Sequence, residues 1–333
     1  MPDDPGITPE RVRVGIVSWN TAALLDRCLA ALPAALDGVA AEIVVVDNAS
    51  ADDSVAVARR HAGVTVIAND DNRGYAKGMN QALAGSDAPV LIALNPDTEP
   101  PPGSLARLVR RVLAEPSIGV LVPRLTNVDG ATQHTVYRFP SLRVAAAVGL
   151  LPAATHRGPI GRRFWLEGFA DHDHGGDIDW AIGAVHCIRA AALKGDAPYS
   201  EKWFMYVEDL ELCWRLAHAG WRIVFDPSVT VPHVANAAGA QAWGNDRTAR
   251  WLDATYEWYA DEHGRLAARA WAAVNAAGCA GKLVANKVLV RFGGARAPQR
   301  GSLVGLFRQL LPLHVRKLVS GPTAPLTGRS QPA

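Results

Sequence analysis

The first hundred residues alternate between short apolar runs and segments with helical periodicity. The apolar runs are Val12–Ser18, Glu42–Asp47, Val64–Ala68 and Pro89–Leu94. Short strands rich in β-branched residues that alternate with helices are typical of right-handed βαβ units. The strands of such units lie parallel in a sheet that helices cover on both faces. The sequence therefore predicts an α/β fold with a mostly parallel central sheet.

Helices are predicted between these strands over residues 21–32, 52–61 and 77–84. Pro33 follows the first of them and is expected to help end it, because proline lacks a backbone N–H. No G-x-G-x-x-G turn follows the first strand, and the nearest approach to a phosphate loop, Gly278–Leu283, lacks the first glycine and the hydroxyl residue after lysine. These absences argue against the Rossmann dehydrogenases and the P-loop enzymes.

Acidic residues follow two of the predicted strands. Asp47 ends the second strand, and Asp97 comes shortly after the fourth. Ligands of open parallel sheets bind beyond the carboxyl ends of the strands, and a hard divalent cation that also binds phosphate needs few protein carboxylates. We therefore expect a nucleotide and metal site at this edge. The alternative for each acid is a turn residue that caps the next helix.

An adjacent acid pair, Glu208–Asp209, stands at the predicted start of an amphipathic helix. Unpaired backbone N–H groups and the helix dipole favour ionised carboxylates in a first turn. Either acid could therefore stay ready to accept a proton, whereas the alternative is a pair with only a capping role. The loop Asn69–Tyr75 is expected to help hold a nucleotide, since Gly74 permits a tight turn and Arg73 can meet a base or phosphate. Its alternative is a solvated connection.

Taken in order, these segments resemble the family-2 glycosyltransferases with the GT-A fold, and most of all their bacterial rhamnosyltransferase-type branch. The resemblance covers roughly residues 11–260. The motifs that carry it are Val44–Ser50, Asn72–Asn80, Leu94–Asp97, Asp179–Ala184, Phe204–Asp209 and His233.

The resemblance implies an inverting transfer of a sugar, with rhamnose as the first candidate, from a dTDP- or UDP-sugar to a hydroxyl of a glycan or polyprenyl-diphosphate-linked acceptor. It makes Asp209 the general base and Glu208 a supporting catalytic residue. It also implies a divalent cation, Mg²⁺ or Mn²⁺, at Asp97 and His233. Asn95 stands where many relatives have the first acid of an Asp-x-Asp motif, which leaves the cation one firm carboxylate.

The resemblance also implies two sets of substrate contacts. The donor nucleotide is expected to meet Ser18, Asn20, Asp47, Asn48, Asn72, Arg73, Gly74, Asn80 and Asn95. The donor sugar and acceptor are expected to meet Trp180, Gly183 and Ala184. The glycine-rich segment Asp171–Asp177 contains metal-ligand residue types, but we expect a mobile polar loop there.

Charge is distributed unequally along the chain. Residues 263–333 contain 11 of the 34 lysines and arginines and none of the 32 acids. The apolar stretch Leu303–Leu313, together with Arg316 and Lys317, is predicted to lie in the headgroup zone of an anionic membrane. A helical cap on the catalytic domain is the alternative, and nucleic acid is not expected, because no recognised binding motif accompanies the charge.

These observations predict a GT-A catalytic domain over residues 1–240 and a basic helical extension over 241–333. The four cysteines are far apart with no C-x-x-C pair, as in a reducing cytoplasm. No apolar run approaches the roughly 18 residues of a spanning helix, and the first residues lack a secretion signal. We expect a cytoplasmic protein that is peripheral on the inner face of the plasma membrane. The alternatives are a non-catalytic nucleotide-sugar-binding scaffold and a sugar nucleotidyltransferase, although the latter's glycine-rich start is absent at 18–20.

Overall fold

The structure, a computed structural model, describes residues 10–151, 174–234, 246–292 and 297–322. It divides into two compact units. The first comprises the described parts of residues 1–136 and 172–238, and the second those of 137–171 and 239–333. The second unit thus includes a segment that the sequence analysis assigned to the catalytic domain, and the domain limits at 240 and 241 stay a prediction. Asp171–Asp173 lie outside the described residues.

The secondary structure alternates as the sequence predicts over the first hundred residues. The strands are β1 Arg11–Ser18, β2 Ala40–Asn48, β3 Val64–Asn69, β4 Val90–Leu94, β5 Ile118–Thr126, β6 Val136–Tyr137, β7 Gly176–Asp177, β8 Trp180–Ala181, β9 Val185–Arg189 and β10 Arg222–Pro232. The helices are α1 Ala22–Leu36, α2 Ser54–Arg60, α3 Tyr75–Leu83, α4 Ser104–Ala114, α5 Leu142–Leu150, α6 Glu208–His218, α7 Arg247–His263, α8 Arg265–Arg291 and α9 Ala297–Val319.

The central sheet has the strand order β3-β2-β1-β4-β9-β5-β10-β7. The pairs β1–β2, β2–β3, β1–β4 and β5–β10 are parallel. Strand β9 runs antiparallel between β4 and β5, so that β1, β2, β4 and β10 all point the same way. The prediction of a mostly parallel sheet is confirmed. The carboxyl ends of these four strands share one edge, and β9 begins at that edge.

The prediction that Pro33 helps end the first helix is wrong. Helix α1 continues through Pro33 to Leu36 and ends where Asp37 and Gly38 adopt positive φ angles of 40° and 82°. Proline costs one intrahelical hydrogen bond, but its fixed φ is a helical value. The continued turn buries Ala35 and Leu36 in the core, and this burial offsets the lost bond.

The second unit is built from α5, α7, α8 and α9. Helices α5 and α8 approach closely where two glycines meet, because a Cβ added to Gly278 would lie 2.5 Å from the Cα of Gly149. In α9, Leu310 and Leu313 are buried, and Lys317 is buried in an ion pair of 2.5 Å with Asp253. The predicted headgroup position of Lys317 is therefore wrong, since its ammonium group faces inward. No helix among the described residues is long and apolar enough to span a membrane.

Candidate active site

The predicted site residues gather at the sheet edge where the parallel strands end. Ser18 ends β1, Asp47 is the second-last residue of β2, Asp97 follows β4 and His233 follows β10. Gly183 stands just before β9, whose antiparallel direction places its start at this same edge. Strand direction thus brings together residues that are more than 200 positions apart in sequence.

The β1 and β2 ends carry a polar network. Asp47 is buried, and its two carboxylate oxygens accept hydrogen bonds from the Ser50 backbone N–H at 2.8 Å and from the Ser50 hydroxyl at 2.6 Å. The side chain of Asn20, whose φ is 53°, accepts from the backbone N–H of Ala51 at 2.7 Å. Ser18 is buried, and its hydroxyl lies 2.9 Å from that of Thr21. These bonds fix the Asp47 carboxylate, which has oxygen lone pairs left for a donor.

The loop before α3 depends on Gly74. Its φ of 83° and ψ of 171° belong to a region that only glycine adopts readily, and an added Cβ would lie 2.3 Å from the carbonyl oxygen of Phe204. The Asn72 side chain accepts from the Gly74 N–H at 3.0 Å. The next backbone N–H, that of Tyr75, donates to the Phe204 carbonyl at 2.9 Å. The loop is therefore attached to the segment that leads into the acid pair.

Three further side chains that were predicted to contact the nucleotide also have protein partners. The buried Asn48 amide donates to the Gly74 carbonyl at 3.0 Å. Asn80 exchanges hydrogen bonds with the backbone N–H and carbonyl of Tyr199, at 3.0 and 2.7 Å. The exposed Arg73 pairs with Asp71 at 2.8 Å. Asn48 and Asn80 therefore hold neighbouring segments in place, and their contact with a nucleotide stays a prediction.

Asp97 and His233, the two predicted metal ligands, are in contact. Both are buried, and the Nε2 atom of His233 lies 3.3 Å from Oδ1 of Asp97. Nε2 has no hydrogen-bond partner among the described residues. Gln133 fixes the tautomer of the ring. Its amide nitrogen must donate to the carbonyl oxygen of His233 at 2.7 Å, so its amide oxygen accepts from Nδ1 at 2.9 Å.

This arrangement fits a divalent cation. The Nδ1–H of His233 is used by Gln133, so Nε2 presents its lone pair toward the Asp97 carboxylate, and metal-binding histidines are commonly oriented by such a second hydrogen bond. No cluster of three or more His, Cys, Asp and Glu side chains suited to a metal occurs in the described part of the chain. Two protein ligands suffice where a diphosphate and water supply the others.

Asp209 lies in the first turn of α6 and reaches the start of β9. Its Oδ2 atom accepts from the Gly183 N–H at 3.1 Å, and its Oδ1 atom from the Leu210 N–H at 2.8 Å. Burial raises the pKa of Asp209 to about 6, although these two N–H groups oppose the rise. A carboxylate with a pKa near neutrality is well suited to act as a general base.

Glu208 behaves differently from its neighbour. Its side chain is buried, and the Oε2 atom has no hydrogen-bond partner within the described ranges. Burial, with a further contribution from the charge of Asp209, raises the pKa of Glu208 well above its usual range. Glu208 therefore holds its proton more tightly than an exposed glutamic acid does.

The backbone before the acid pair is strained. Tyr206 and Val207 have φ angles of 73° and 74°, which are uncommon for non-glycine residues and costly for a β-branched one. Val207 is fully buried. Two consecutive left-handed residues set the direction in which α6 leaves the loop, and thereby place Asp209 against Gly183.

The residues predicted to meet the sugar lie between Asp209 and the Asp97–His233 pair. Trp180 and Ala184 are buried, and the Ala184 carbonyl accepts from the half-buried Asn95 N–H at 2.9 Å. Gly183, whose N–H binds Asp209, directly precedes Ala184. A continuous path of hydrogen bonds and peptide units therefore links Asp209 to Asn95, two residues before Asp97.

Residues 13–167 match the family model described as glycosyl transferase family 2. These residues therefore carry a family-2 glycosyltransferase segment. This glycosyltransferase is 27% identical over 260 residues to the N-acetylglucosaminyl-diphospho-decaprenol L-rhamnosyltransferase of Mycobacterium tuberculosis, with 74% of the chain and 83% of that relative covered. It is also 31% identical over 211 residues to the succinoglycan biosynthesis protein ExoU of Rhizobium meliloti, with 57% of the chain and 59% of that protein covered.

One solved structure is similar over almost the whole length. It is the mannosyltransferase PcManGT from Pyrobaculum calidifontis in complex with GDP-Man and Mn²⁺, with a TM-score of 0.58 and 19% sequence identity. The match covers 95% of the glycosyltransferase and 89% of the mannosyltransferase. The similarity shows that the fold is shared, and the predicted GT-A architecture is confirmed.

Two residues of the glycosyltransferase site were missed by the sequence reasoning. Tyr75 donates its hydroxyl to the Gly183 carbonyl at 3.0 Å, and its pKa is raised well above the usual range by burial and by the charges of Glu208, Asp209 and Asp97. The position of Tyr75 within the Asn72–Asn80 motif could have indicated that it belongs to the site. Gln133 lies in an irregular segment after β5, and no local sequence pattern predicts its contact with His233.

Proposed function

We propose that this glycosyltransferase moves a sugar, with L-rhamnose as the first candidate, from a dTDP- or UDP-sugar to a hydroxyl of a polyprenyl-diphosphate-linked glycan, with inversion at the anomeric carbon. The observation that carries the proposal is the path from Asp209 through Gly183 and Ala184 to Asn95, next to the Asp97–His233 pair. It supports one site with a base on one side and a diphosphate-binding pair on the other. The name of the mycobacterial relative supports the choice of sugar and acceptor.

Asp209 supplies the base. A sugar hydroxyl is a poor nucleophile. A carboxylate that removes its proton as the new bond forms increases the reaction rate on the order of 10²–10⁴-fold. The two N–H groups on Asp209 hold the carboxylate in one orientation. Burial raises the pKa of Glu208 well above its usual range, and we assign it a supporting role beside Asp209. One attack from the face opposite the departing diphosphate inverts the anomeric centre, and no covalent nucleophile is needed.

Asp97 and His233 would hold the divalent cation, Mg²⁺ or Mn²⁺. When bound there, the cation would stabilise the negative charge that develops on the leaving diphosphate. Gln133 keeps the His233 ring in the tautomer that offers Nε2. Asp47 would accept a hydrogen bond from the nucleobase, because its carboxylate is held at the end of β2 by Ser50.

A lipid-linked acceptor requires the enzyme to work at a membrane surface. The basic charge of residues 263–333 suits the anionic inner leaflet, where each lysine or arginine near the surface contributes about 1 kcal/mol. We therefore place the enzyme on the cytoplasmic face of the plasma membrane, as a peripheral protein.

The first experiment screens dTDP-, UDP- and GDP-sugars for thermal stabilisation, with and without Mg²⁺ or Mn²⁺. A ligand at a hundred times its Kd raises the free energy of unfolding by about 2.7 kcal/mol, or on the order of 5 °C in Tm. Asp209→Asn should bind the same donor but lose transfer. Glu211→Gln, which removes a carboxylate of the same helical turn that pairs with Arg215, should keep both. Stabilisation by no nucleotide sugar, or wild-type transfer by Asp209→Asn, would contradict the proposal.

A further inference from the structure

Helix α8 exposes an apolar stripe over its last turns. Val284, Val288 and Phe292 recur every fourth residue, which places them on one helical face, and they are 62%, 49% and 82% exposed. Leu289 adjoins them at 42% exposed, and Leu266, about five turns earlier on the same side, is 83% exposed. Large apolar side chains grouped in this way on a surface indicate an interaction site.

Cations flank the stripe without acids between them. Lys287 and Arg291 are exposed and four residues apart, so they form a row beside the apolar one. Arg265 and Arg269 repeat the spacing at the start of α8 and are exposed as well. Because residues 263–333 contain no Asp or Glu, helices α8 and α9 carry cationic side chains and no acidic ones.

We propose that this face of α8 binds an anionic phospholipid surface. We call it the docking face and define it by Val284, Lys287, Val288, Arg291 and Phe292. The inference rests on the proposed function, in which the acceptor is lipid-linked. An amphipathic helix of this kind buries its apolar side chains at the boundary between headgroups and acyl chains. The flanking cations then meet the lipid phosphates.

Charge decides between a bilayer and a second copy of the chain as the occupant. A two-fold contact through the docking face would bring the Lys287–Arg291 rows of both copies together, and like charges at an interface are costly. An anionic bilayer offers the opposite charge and an apolar interior at the same time. Helix α9 does not offer such a face over Leu310, Leu313 and Lys317, because these three side chains are buried.

The test measures how much of the full chain sediments with lipid vesicles. One set of vesicles is pure phosphatidylcholine, and in the other about a quarter of the lipid is the anionic phosphatidylglycerol. Lys287→Gln/Arg291→Gln should weaken binding to the anionic vesicles by about 30-fold. Arg59→Gln/Arg60→Gln removes the same charge from the exposed end of α2 and should change binding less than threefold.

A second pair of variants tests the apolar stripe. Val288→Ser/Phe292→Ser should weaken vesicle binding at least tenfold, because both apolar side chains would enter the bilayer. Val128→Ser, at a position 81% exposed, should leave it unchanged. These side chains are at the surface, so the Tm of each variant should stay close to that of the wild type.

Three results would overturn the docking face. In the first, both double variants in α8 bind anionic vesicles as tightly as the wild type does. In the second, the Arg59→Gln/Arg60→Gln control in α2 loses as much vesicle binding as Lys287→Gln/Arg291→Gln. The third result is a dimer in analytical ultracentrifugation that Phe292→Ser dissociates. Thermal stabilisation of the protein by a nucleotide sugar, measured without vesicles, tests the proposed function separately from the docking face. A chain that binds vesicles through α8 but no nucleotide sugar would contradict the proposed function alone. A chain that binds a donor but not anionic vesicles would contradict the docking face alone.

Discussion

Replacing Asp209 with asparagine should slow transfer strongly and at the same time stabilise the fold. The pKa of Asp209 rises from its ordinary value of 3.8 to about 6 because the side chain is buried. A tenfold change in proton affinity corresponds to about 1.4 kcal/mol, so the ionised carboxylate costs the fold up to ~3 kcal/mol. Residual solvent contact of the side chain makes this figure an upper bound. Asparagine is neutral and avoids the cost of ionisation, and its single side-chain oxygen keeps one of the two backbone N–H bonds.

The sign of the pH dependence follows from the raised pKa. The folded protein holds the Asp209 proton more tightly than the unfolded chain, so its contribution to stability is present below pH 4 and is lost as the pH rises to about 6. Asp209→Asn should therefore match the wild type at pH 4 and exceed it by up to about 3 kcal/mol at pH 8. Urea unfolding at both pH values measures the difference.

Activity is measured on the same samples. The kcat of Asp209→Asn should fall on the order of 10²–10⁴-fold, and the kcat/KM of the wild type should decline below about pH 6 as the base becomes protonated. Glu211→Gln serves as the control in both assays. Retention of kcat within a factor of about three by the asparagine variant, or an identical pH dependence of stability in both proteins, would refute the reasoning.

The remaining predictions concern three other positions. Gln133→Leu should weaken Mn²⁺ binding, measured by calorimetry, about 10–100-fold, whereas Gln133→Glu keeps an acceptor for the histidine and should retain it. Gly74→Ala should lower the free energy of unfolding by at least about 2 kcal/mol in urea, because the new Cβ would collide with the Phe204 carbonyl. Lys317→Met should cost about 3–5 kcal/mol in the same assay by leaving Asp253 buried without its partner; recovery in Lys317→Met/Asp253→Leu would confirm the cause, and an unchanged midpoint for Lys317→Met would contradict it.

Local sequence pattern predicted those parts of the site that follow from strand direction. Asp47 and Asp97 stand directly after apolar runs, and parallel strands bring their ends to one edge. The acid pair could be placed because α6 begins at Glu208, as the periodicity predicts. The insertion of β9 between β4 and β5 could not be predicted, since it depends on pairings with residues more than 60 positions away.

Contacts between irregular segments were equally hidden from the sequence. Gln133 reaches His233 across 100 residues, and no periodicity marks a side chain in a turn. The motif around Asn80 predicts a substrate contact, but the Asn80 side chain forms two hydrogen bonds with the backbone of Tyr199. In both cases the partner is distant in sequence, and only the complete fold determines its position.

The loop before α3 and Asp209 belong to one hydrogen-bonded assembly. Tyr75 donates its N–H to Phe204 and its hydroxyl to Gly183, while Gly183 donates to Asp209. The strained φ angle of Val207, between Phe204 and Asp209, costs of order 1–3 kcal/mol. The proposed role of Asp209 as the general base gives this strain a purpose, because the backbone at Val207 sets the direction in which α6 begins and Asp209 lies in its first turn.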